Sequence, residues 1–153
     1  MKKFGICLLS LILSLCMLTA CGTADVDLQT VFDDINSQFG IEGITVIEDV
    51  AKLNRYYMIE EDTVEQFAAE FSAESSVYKE IVLVKAVDEA SASEIATLLN
   101  NHYQSRLSEA KSYNPESVAM LENCSVEQNG VYVSLIIDEN AADIKAVYDS
   151  YFT

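Results

Sequence analysis

Tryptophan is absent from this 153-residue chain, proline and histidine occur once each, and nine basic side chains stand against 25 acidic ones. With one proline, Pro115, and five isolated glycines there is no Pro- or Gly-rich linker, and no internal repeat or low-complexity tract appears. The lone histidine, His102, cannot complete a zinc set, which needs three or four ligands. Serines are common, but no Gly-x-Ser-x-Gly elbow surrounds any of them, and no glycine-rich loop could cradle a phosphate. No cofactor is implied. The acidic excess repels nucleic acid and anionic lipid headgroups, which excludes both as natural ligands.

What is present begins at the N-terminus. Met1-Lys2-Lys3 is a short basic segment, and Phe4 to Leu18 carries no charge, the layout of a secretory signal peptide. The apolar run is shorter than the roughly 20 residues of a spanning helix. It ends in Leu18-Thr19-Ala20-Cys21, a lipobox, so residues 1–20 read as a leader cut before Cys21 and Cys21 as the site of a thioether-linked diacylglycerol. A lipobox cysteine typically carries at least two acyl chains, palmitate among them, and two hold a protein durably. Removing the leader leaves seven basic side chains facing 25 acidic ones, a formal charge near −18, so lipid and not a basic patch must be the anchor. Cys7 and Cys16 leave with the leader, and Cys124 remains as the one free thiol. No disulfide can form within the chain, and the fold must rest on its core.

Residues 21–27 read as a lipidated tether and 28–153 as one domain. Leu28, Val31, Phe32, Ile35 and Phe39 predict a helix over about 27–39, stopped by Gly40. Residues 41–62 stay unassigned, and 63–72 fit a helix and a strand equally. The apolar, β-branched run over 81–87 predicts a mostly buried, central strand. Ser91-Ala92-Ser93-Glu94 has the form of a capping box opening a long helix, with Ala92, Ile95, Ala96, Leu99, Tyr103, Leu107 and Ala110 as its buried stripe. Asn114 as cap and Pro115 at the first position start a shorter helix. Asn129-Gly130, between the runs 124–128 and 131–137, predicts a hairpin with positive φ at both turn residues. Asn140 caps a last helix over about 141–152.

The lipobox, the basic-to-acidic change behind it, the strand over 81–87, the helix holding Arg106, the segment Tyr113-Asn114-Pro115-Glu116 and the turn Asn129-Gly130-Val131-Tyr132-Val133 follow one another in this order. In this the chain resembles small lipoproteins of Gram-positive bacteria that carry a domain of unknown function, over about residues 50–137. The resemblance implies that 66–72 is a strand. The fold is then α+β, an antiparallel sheet of three to four strands with helices on one face, in β-β-α-β-β-α order after an N-terminal helix. It implies no activity.

Acidic pairs such as Asp88-Glu89 and Asp138-Glu139 precede helices, where negative charge meets the positive end of the dipole, and none has the spacing of a calcium loop. Arg106 and Tyr113, seven residues apart, form a candidate interaction pair, with Arg106 offering a planar fork to a partner's carboxylate. The plainer reading ties Arg106 to the following loop or to an acidic neighbour and puts Tyr113 in the core. The function expected is that of a binding module on the outer face of the cytoplasmic membrane, held through Cys21 and meeting an envelope protein, a peptide or a small ligand. The alternative is a cell-envelope hydrolase whose carboxylates the sequence does not single out.

Overall fold

Ile81-Val82-Leu83-Val84 places an apolar side chain on both sides of the pleat, so a strand made from it has to be covered on both faces. In the computed structural model, which describes residues 25–40, 43–74 and 76–153, this run lies in β3 (Glu80–Ala86). It is the middle strand of a five-stranded antiparallel sheet ordered β1-β2-β3-β5-β4. The others are β1 (Ile44–Ile47), β2 (Val64–Ser72), β4 (Ser125–Asn129) and β5 (Tyr132–Ile137). Ile81 and Leu83 meet helices α1 (Leu28–Phe39) and α5 (Ala141–Ser150) on one face. Val82, Val84 and Ala86 meet α2 (Val50–Tyr57), α3 (Glu89–Tyr113) and α4 (Val118–Leu121) on the other.

The α+β class and the antiparallel sheet are as expected, and 64–72 is the strand that the resemblance implied. Helices on one face alone are not what forms. Such cover would leave Ile81 and Leu83 in water, at about 1.5–3 kcal/mol each. The count of strands is five because β1, four residues at the sheet edge, comes from the stretch left unassigned. The leader, the lipobox and Cys21 lie outside the described residues.

Local starts and turns differ from the sequence reading for identifiable reasons. α3 begins at Glu89, ahead of the Ser91 capping box, because Asp88 Oδ1 accepts from the amide of Ser91 at 2.7 Å. That bond holds the Asp88 carboxyl below its usual range. A carboxylate caps an N-terminus at least as well as a hydroxyl and adds its charge to the dipole. The hairpin pairs Asn129 with Tyr132, so its two loop residues are Gly130 and Val131, and Gly130 alone carries positive φ, 58°. That is the pattern of a turn needing glycine at its first position only, which returns Asn129 to the ladder. Asn114 and Asn140 do not cap with their side chains. Asn114 Nδ2 instead donates to Ser76 O at 3.0 Å, and Asn140 donates both its amide and Nδ2 to Asp138. Pro115–Ser117 is a single 3-10 turn leading into α4.

One polar residue on β2 is anomalous. Glu70, fully buried on the α1 face, receives Asn36 Nδ2 at 3.2 Å on Oε2 and leaves Oε1 without a partner among the described residues. Burial pushes its carboxyl above the usual range. The folded state therefore holds this proton more tightly than the unfolded chain. Its contribution is complete below the unfolded value and falls as pH rises through the raised one. Glu70→Gln keeps an acceptor for Asn36 and cannot ionise. It should gain stability of order 1 kcal/mol above neutral pH and little at about pH 4, read from thermal melts at both. An equal change at both would show that ionisation is not the cause.

Candidate functional site

Glu80 opens β3 on the face that α3 covers, opposite Phe71 of β2 and Ile137 of β5. A carboxylate there, 4% exposed, is costly without charge and hydrogen-bond partners. α3 supplies them from residues one turn apart. His102 Nε2 lies 2.7 Å from Glu80 Oε2, and Arg106 Nε 2.8 Å from Oε1. From α2, the Tyr57 hydroxyl donates to Oε2 at 3.2 Å. Burial first, and the Glu80 charge second, push the Tyr57 phenol far above its usual range, so it remains a donor.

Around this cluster the walls are aromatic. The Arg106 guanidinium carbon is 4.5 Å from the Tyr78 ring centre, and the ring of Tyr57 meets that of His102 edge-on at 4.7 Å. Tyr56 packs against Phe71, also at 4.7 Å. Two adjoining hollows of about 260 and 200 Å³ share Tyr56, Tyr57 and His102, the first reaching to Phe71, Glu80 and Arg106, the second to Met58 and Leu98. Together they form a groove between α2 and α3. Arg106 Nη1 donates to Glu109 at 3.0 Å. Arg106 Nη2, the second ring nitrogen of His102 and the Tyr56 hydroxyl make no hydrogen bond to protein among the described residues. Among the described residues Glu80 is the one carboxylate lining the groove, and both its oxygens are engaged.

Met58 closes α2 at the rim with φ 62°, the one left-handed non-glycine among the described residues, and its side chain is 73% exposed. The left-handed conformation costs an L-residue roughly 1–2 kcal/mol. Strain of this kind persists where the surroundings impose it and gathers at working surfaces. A larger hollow, about 570 Å³, lies between α4 and α5, but it presents no aromatic ring. Its Asp138 is already tied to Lys79 at 3.3 Å.

The candidate pair from the sequence is not brought together. Arg106 turns to the sheet and pairs with Glu80 and Glu109, as the plainer reading had it, whereas Tyr113 is 85% exposed and neither core nor beside Arg106. The 25 residues of α3 measure about 37 Å and outrun the strands, which leaves Tyr113 past the end of the sheet. The sequence does not single out Glu80, Tyr57, Tyr56 or Phe71, and of His102 it says only that it cannot complete a zinc set. The available signal was the four-residue spacing of His102 and Arg106, which puts two donors on one stripe. Cys124 is buried, and burial pushes its thiol up.

A family model described as a domain of unknown function, DUF4358, matches residues 29–138. No curated protein and no solved structure matches the chain.

Arg106→Met should strand the buried Glu80 charge and lower stability by about 3 kcal/mol in urea unfolding. Adding Glu80→Gln should recover much of that loss, because the stranded charge is then gone. A single-variant loss below about 1 kcal/mol would mean that solvent screens the pair.

Proposed function

Because the chain belongs to the DUF4358 family, whose description names no activity, we propose from its residues that it is a lipid-anchored, extracytoplasmic binding module working through the groove between α2 and α3. The observation that carries this reading is an aromatic-walled groove with hydrogen-bond donors left unpaired and a strained, exposed methionine at its rim. Rings of Tyr56, Tyr57 and Phe71 offer apolar contact, and Arg106 and His102 offer donors. This suits an apolar side chain with a neighbouring carbonyl, as on a peptide segment of an envelope protein. The carboxylates a hydrolase would use are not set against each other there, since among the described residues Glu80 alone lines the groove and is held by Tyr57, His102 and the charge of Arg106. The anchor is the lipid on Cys21, at the outer face of the cytoplasmic membrane.

A photoreactive residue in place of Tyr56, in the protein at its native membrane, should give a discrete crosslinked product identified by mass spectrometry. The same probe at Val87, exposed and away from the groove, should not. Equal labelling from the two positions would overturn the reading. Met58→Gly should relieve the left-handed strain and raise stability by about 1 kcal/mol while reducing the Tyr56 crosslink. For the anchor, Cys21→Ala should accumulate unprocessed precursor with no lipid-labelled band, and a processed, labelled variant would refute it.

A further inference from the structure

The described chain enters the fold at one end of the sheet and is fastened there. Asp25 Oδ1 pairs with Lys85 Nζ at 2.9 Å, the amide of Val26 donates to the Tyr132 hydroxyl at 2.9 Å, and the amide of Leu28 donates to Gln66 at 2.6 Å. This end also holds the start of β2, the finish of β3 and the hairpin loop, tied together by Val87 N to Thr63 O at 3.0 Å and Ala86 N to Val131 O at 2.8 Å. Glu80 is at the other end of β3, about 17 Å from Lys85. Tyr113, at the far end of α3, is about 35 Å beyond the helix start.

We infer that the tether orients the domain, with the Lys85–Val131 end toward the membrane and the groove end away from it, and that an acidic collar holds the near end off anionic lipid. The inference rests on the lipid-anchor reading. Four residues from Cys21 to Asp25 reach at most about 14 Å, so the entry point is never far from the headgroups. Exposed Asp27, Glu61, Asp62, Asp88 and Glu89 crowd this end, and its Lys85 is already shared by Asp25 and Glu65. Repulsion from an anionic surface acts over a Debye length of about 8 Å at physiological salt, which the tether is long enough to allow. Toppling would bring more of a strongly acidic surface within that range than standing on the collar does. The groove is thereby offered to partners in the extracytoplasmic space and withheld from lipid.

The test uses the full lipid-bearing protein in vesicles whose headgroups carry a short-range spin-label quencher. In a Cys124→Ala background, Val87→Cys and Tyr113→Cys each receive a small fluorophore, after melting curves confirm that both variants fold like their parent. In zwitterionic vesicles the Val87 label should be quenched severalfold more than the Tyr113 label. Anionic lipid should relieve that quenching at low salt, and high salt should restore it. Equal or greater quenching at Tyr113 overturns the orientation, and indifference to anionic lipid overturns the collar. Protein that fails to float with the vesicles overturns the anchor reading and this inference with it, an outcome distinct from floating with the wrong ranking.

Discussion

Burial of β3 on both faces is the constraint from which the rest of the architecture follows. Ile81, Val82, Leu83 and Val84 are each no more than 1% exposed, and β5 beside them is buried along its whole length. An antiparallel sheet can leave one face to water, and this one cannot, so α1 and α5 must close the side that α2, α3 and α4 leave open. The chain's ends serve this demand. α1 comes from the segment just after the tether and α5 from the C-terminus, and Tyr151 of the tail donates to Asp34 of α1 at 2.9 Å to join them.

The candidate site arises where that strand begins. Glu80 takes up the same pleat as Val82 and Val84, so it faces the α3 core, and a charge in that position must be answered from α3 itself. His102 and the charge of Arg106 answer it, the Tyr57 hydroxyl adds a hydrogen bond, and the rings that enclose these groups leave a groove instead of a sealed contact. An ion pair like this adds little net stability over a well-packed apolar substitute, although breaking it by halves is expensive. Its plainer effect is to fix the register of α3 on the sheet and with it the positions of the unpaired donors.

Elements were legible in the sequence in proportion to the number of residues that repeated one signal. α1, α3 and β3 each carry a long periodic or unbroken apolar pattern, and each lies within a few residues of its expected place. β1 has only four residues, all β-branched, too short a run to separate a strand from irregular chain by pattern alone. Where two polar residues offered rival caps for one helix, as Asp88 and Ser91 did, or where a glycine could serve either of two adjacent turns, the nearest motif misled by one or two residues. The site was less legible than the fold. Glu80 reads along the chain as a charge bounding an apolar run, and only the register between β2, β3 and α3 turns it inward against His102 and Arg106. The spacing of Arg106 and Tyr113 does place them on one stripe, but the stripe continues beyond the sheet it packs on.

Scarcity of positive charge shapes how the groove can bind. Lys79, Lys85 and Lys145 each bridge two carboxylates, and Lys111 joins α3 to Glu122 beyond α4. The exposed ones among these bridges are individually worth little, and the collective effect of the set is to relieve the self-repulsion of a chain with so many carboxylates. Arg106, with a side chain about as little exposed as that of Lys85, has its charge likewise answered, by Glu80 and Glu109. The groove therefore has no large surplus charge with which to draw an anion through the protein's negative field. Recognition there would rest on ring surface and on donors whose directions are already fixed, contacts that discriminate by shape and short-range geometry and that salt weakens little.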